Sequence, residues 1–158
     1  MSVAERASYP MEFSTYEFWR GAACAWTCFV ALLVVVPLSV FALTDPASLA
    51  DAMSGTILML VVGIGAIVAA IAVLFFSPLV WLVATRLRGV RSVAAHLAVY
   101  AGLGTAIGVV MAWLVGMYFF GADPRATIAN PWSWALVLSS TVSVVVGWSR
   151  SVWRARRG

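Results

Sequence analysis

Lysine is missing altogether: all ten basic residues of this 158-residue chain are arginines. That removes the phosphate-binding loop chemistry that depends on a lysine. Charge of either sign is scarce, at 10% of residues with only six acids. A soluble domain of this length exposes far more, because Asp, Glu, Lys and Arg are almost never fully buried without a partner. Cysteine is nearly absent too. Cys24 and Cys28 stand at i, i+4 on one helical face, where a disulfide would distort the helix, and no further metal ligands lie nearby. They read as small packing residues. No cleavable signal peptide is expected, since the first twenty residues are polar and aromatic and the run that follows is long enough to span a membrane.

What the chain has instead is apolar length. Hydrophobic residues make up 63%, with a mean hydropathy of +1.00. They fall in unbroken runs of the length that crosses a bilayer rather than at amphipathic spacing. The expected fold is an all-α membrane protein: one domain over residues 1–158, a four-transmembrane-helix bundle with spans near 15–43, 55–84, 93–120 and 131–152. The arginine-only usage, with abundant Ala, Val and Gly, fits a GC-rich bacterial genome, so the expected location is the bacterial plasma (inner) membrane. The net charge of +4 does not argue for nucleic acid, because the arginines sit beside the spans.

Local signals mark the helix ends. Ser14 with Glu17 forms a capping box, Phe13 and Phe18 are placed as a hydrophobic staple, and Tyr9, Phe13, Tyr16, Phe18 and Trp19 form an aromatic collar. Pro37 lies inside the first span and is expected to bend it. Asp45-Pro46 predicts a short surface helix before the second span, Ser92 caps the third, and Asn130-Pro131 starts the fourth. Gly121 to Trp132 reads as a turn. The segments "FALTDP" and "FFGADP" hint at a duplicated hairpin.

Arginine counting sets the orientation. Nine of the ten flank the N-terminal segment, the loop 85–92 and the tail 149–158; only Arg125 lies elsewhere. The positive-inside rule then puts both termini in the cytoplasm. If the fourth helix continues beyond the membrane, Arg150, Arg154 and Arg157 share one face. With Arg86, Arg88 and Arg91 they form a basic collar suited to anionic lipid headgroups or an acidic partner.

Ionisable residues inside spans mark ion pathways and proton relays. Here the spans hold only His96, about one turn into the third, which reads as an interfacial residue near headgroups or loop carbonyls. In helix number and size the chain resembles the small four-helix multidrug exporters, but the membrane-embedded glutamate of that mechanism is missing. A haem would need a second axial ligand from another chain. For Ser139, Ser140, Thr141 and Ser143 no His, Lys or carboxylate in the spans is expected to be available as an activating base. No enzyme and no cofactor is expected.

The stretch "GTAIGVVMAWLVG" places Gly104, Gly108, Ala112 and Gly116 at four-residue intervals. A dinucleotide site would need a preceding strand and a downstream acid, and in lipid the backbone must be helical. The glycines therefore predict a groove for close helix packing. Ala135, Ser139, Ser143, Gly147 and Ser151 form a matching stripe on the fourth helix. Gly55, Gly63, Gly65, Ala66, Ala69 and Ala70 supply a third on the second. The simplest arrangement places the third helix near the centre, with its groove filled by the fourth helix or by another subunit. Trp26 and Trp113 sit deeper than the belt and are free to face a partner or lipid.

The expected function is a non-catalytic accessory or assembly subunit of a larger membrane complex, with the bilayer and other integral membrane subunits as partners. The alternative is a small oligomeric channel or transporter for a neutral or lipidic solute, its path lined by Thr27, Ser39, Thr105 and Ser139 to Ser143.

Overall fold

The structure, a computed structural model, describes residues 14–44, 52–87, 89–90, 92–120 and 123–155. These residues form α1 (Thr15–Thr44), α2 (Ala52–Arg86), α3 (Val93–Phe120), α4 (Pro124–Ala129) and α5 (Pro131–Ala155). There is no strand among the described residues. Four of the helices are long and apolar enough to cross a membrane.

The capping box forms as a reciprocal pair. The Glu17 backbone N–H donates to Ser14 Oγ at 3.2 Å, and the Ser14 N–H donates to Glu17 Oε2 at 2.8 Å. Phe13, the other half of the expected staple, lies outside the described residues, as does the short helix expected at Asp45-Pro46. Helix α1 continues through Pro37. Helix α2 begins before the expected span and ends after it, while α5 runs on to Ala155.

One expectation is corrected in the last connection. The segment read as a plain turn contains α4, a helix of 6 residues. Asp123 caps it, accepting from the Arg125 N–H at 2.9 Å, and Pro124 occupies the first turn. Asn130 then caps α5 in the same way, accepting from the Trp132 N–H at 2.9 Å. The indole of Trp134 donates back to the Ile128 carbonyl at 2.8 Å and ties the two helices together. Six residues between two cap-and-proline signals are too few for a periodic pattern, so the sequence reads there as loop.

Helix α5, not α3, is the middle element of the packing. It lies antiparallel against α1 on one side and against α3 on another. Gly147 of α5 meets Gly21 and Ala25 of α1, while Gly104 and Gly108 of α3 meet the Val137–Val144 face of α5. Two faces of a single helix allow this: Gly147 lies on the one toward α1, and Val137, Ser140, Thr141 and Val144 form the one toward α3.

Helix α2 is held differently. It lies along α1, where the Trp26 indole donates to the Ala66 carbonyl at 3.0 Å and Leu33 Cδ1 fills the space over Gly65. Phe18 and Trp81 meet edge to face at 5.2 Å. At its final turns Val80, followed by Leu87, packs on Tyr100 and Trp148. The other sides of α2 are open: Met59, Ile67, Leu74 and Phe75 are exposed, and nothing approaches Gly55 or Gly63. Trp26 therefore faces α2, whereas Trp113 is half exposed.

Trp26→Phe keeps the ring and removes the donor to Ala66. Interhelical hydrogen bonds in membranes contribute about 0.6 kcal/mol on average. The variant is expected to lose roughly that much stability and to broaden the spin-label distance distribution between α1 and α2. An unchanged distribution means that the indole bond does not hold α2.

Candidate functional site

Every fourth residue of α3 from His96 to Gly116 is buried: His96, Tyr100, Gly104, Gly108, Ala112 and Gly116. A repeat of four drifts slowly around a helix of 3.6 residues per turn, so these positions form one long stripe. Its wide end carries two rings, its middle carries no side chain, and its far end is again bare.

The bare middle is filled by α5. A Cβ on Gly104 would stand 2.8 Å from Thr141 Cα, and one on Gly108 would stand 2.7 Å from Val137 Cα. Both obstacles are backbone, which no rotamer change relieves. Two hydroxyl contacts flank this approach. Ser140 Oγ donates to the Gly104 carbonyl at 3.0 Å, and the Thr105 and Thr141 hydroxyls lie 3.0 Å apart. Ala112 is buried further along, and Thr127 of α4 covers Gly116. The groove of Gly104, Gly108, Ala112 and Gly116 is thus occupied by the chain itself.

The stripe expected to fill it faces elsewhere. Gly147 packs on α1, where a Cβ would meet the Gly21 carbonyl oxygen at 2.6 Å and Ala25 Cβ at 2.8 Å. Ser143 and Ser139 stand one and two turns before it on the same side, both buried, and Ser143 Oγ donates to the Ser139 carbonyl at 2.6 Å. Ser151 Oγ donates to the Gly147 carbonyl at 3.1 Å and reaches the Glu17 carbonyl of α1 at 3.4 Å. Residues 137, 140, 141 and 144, which do meet α3, include two valines. A search for small residues alone passes over them.

The wide end of the stripe is an aromatic joint that sequence spacing did not bring out. His96 is 1% exposed, the most buried large side chain described. Its ring stacks on Trp148 of α5 at 5.6 Å and 17°, and Tyr100 stacks on the same indole at 5.5 Å and 24°. His96 Nδ1 lies 2.9 Å from the Ser92 carbonyl, which accepts a hydrogen bond when that nitrogen carries the proton. Of the two surroundings expected for His96, headgroups or loop carbonyls, a loop carbonyl is present, that of Ser92, and the Trp148 indole stacks on the ring. Continuing the four-residue period backwards from Gly104 reaches both rings; Trp148, on another helix, carries no such mark. The Trp148 Nε1–H is buried without an acceptor.

The arginines are only partly described. Arg86 and Arg150 are exposed, and Arg20 lies over the Tyr16 ring at 5.4 Å. Arg88, Arg91 and Arg157 lie outside the described residues, and the side chain of Arg154 does as well. Cys24 and Cys28 are free thiols, and no cluster of three His, Cys, Asp or Glu capable of holding a metal occurs among the described residues. The chain matches no protein-family model, no curated protein and no solved structure.

What this arrangement does chemically is join helices. Gly104→Ala and Gly108→Ala should each destabilise the protein by about 1–3 kcal/mol, the usual cost of overpacking. Gly63→Ala and Gly102→Ala, where nothing lies within 4 Å, should be neutral or stabilising by up to about 1 kcal/mol. Thermal unfolding in detergent of the four variants separates the two classes; equal effects would mean that α3 and α5 do not approach this closely. At the joint, Trp148→Phe removes the unpaired donor and keeps a ring, so it should cost far less than Trp148→Ala. The latter should lose about 3–5 kcal/mol. The same unfolding measurement ranks them.

Proposed function

We propose that this chain is a non-catalytic, multi-pass accessory subunit of the bacterial plasma membrane, which packs beside other integral membrane subunits through the open side of α2. The observation that carries the reading is the contrast between filled and unfilled grooves. The close-packing surfaces of α3 and α5 are occupied within the chain, whereas α2 presents exposed apolar side chains beside the uncovered Gly63. Small residues let helices approach where lipid supplies no hydrophobic force for association. An uncovered one beside large apolar side chains is the surface most suited to a further helix.

The hydroxyls support packing over transport. Thr27 donates to the Ala23 carbonyl, Thr105 to Ala101 and Thr141 to Val137, each one turn back on its own helix. A hydroxyl bound in this way offers a solute little beyond its remaining lone pair. The solute-conducting alternative has no comparable observation in its favour, and the Ser140 and Ser143 hydroxyls are bonded to backbone carbonyls.

Both termini are assigned to the cytoplasm on the arginine distribution. The exposed Arg86 and Arg150 would then face the anionic inner leaflet, where each charge near the surface contributes about 1 kcal/mol. Nucleic acid has no place in this reading.

A photo-crosslinking residue at Ile67 or Leu74 of α2, compared with one at Val142 of α5, tests the docking side in native membranes. All three positions are exposed. Expected is one defined membrane protein captured from the α2 positions and lipid alone from Val142; lipid alone from all three overturns the proposal. Orientation is checked separately with reporters. A fluorescent protein fused after Gly158 should mature, and alkaline phosphatase inserted near Ala47 should be active; the reverse pattern overturns the topology.

A further inference from the structure

We draw no further inference here: the strongest candidate, the closed stack of His96, Tyr100 and Trp148 between α3 and α5 with its unpaired indole N–H, belongs to the helix joint already described, and nothing in the structure shows which acceptor it would take.

Discussion

The approach of α3 to α5 at Gly104 and Gly108 is the contact on which the rest of the bundle depends. In lipid an apolar side chain gains little by leaving acyl chains for another helix, so dispersion between closely placed backbones must hold helices together. Two positions without side chains bring Thr141 and Val137 of α5 within reach of the α3 backbone. The Ser140 bond to the Gly104 carbonyl forms because that carbonyl is so near. The aromatic joint lies one turn below, where the same stripe carries rings instead of glycine and both stack on the Trp148 indole.

Placing α5 against α3 also decides what remains for the other helices. A second face of α5 receives α1, where Gly147 meets Gly21 and Ala25. With α5 occupied on both faces, α2 has α1 as its extended neighbour, and Val80, with Leu87 just beyond the helix, packs on the α3–α5 pair near the aromatic joint. The lopsided packing therefore follows from the distribution of small residues. Helix α2 has glycines at positions 55, 63 and 65, yet only Gly65 has a neighbouring side chain over it, that of Leu33.

The helices themselves were legible in the sequence because their signals are local. A capping box at Ser14 and Glu17, a cap at Asn130 and unbroken apolar length each report on a few consecutive residues, and the observed ends of α1, α3 and α5 begin where those signals lie. The groove on α3 was legible as a groove for the same reason. Its partner was not. A four-residue period shows that one side of a helix is narrow, but it holds no information about which surface comes to it. Two stripes of matching period, on α3 and α5, suggested each other, whereas Val137, Ser140, Thr141 and Val144 supplied the surface that fits. A valine beside a glycine fills the space that a second small residue would leave empty. The His96–Trp148 contact was hidden in the same way, since it joins residues far apart in sequence with no shared motif.

The same distribution bears on where a function could reside. Several polar side chains within the packing are matched to backbone nearby: Ser143 to Ser139, Ser140 to Gly104, Thr127 to Asp123 and His96 to Ser92, whereas the Trp148 indole N–H is not. Such bonds satisfy hydroxyls that would otherwise be costly in a low-dielectric interior. Among the described residues the buried polar side chains are His96, Thr127, Ser139, Ser140 and Ser143, so no carboxylate or guanidinium is buried within the packing. Helix α2 adds a mechanical argument. Its 35 residues extend about 52 Å at 1.5 Å per residue, against a hydrocarbon core of about 30 Å. A helix that long must tilt, project or be covered. Its one extended neighbour, α1, has 30 residues and covers only one of its sides. An apolar helix of that length with a bare glycine on an open side is the element on which we propose that another protein docks. The proposed docking role therefore falls on α2, outside the tightly packed α3–α5 pair.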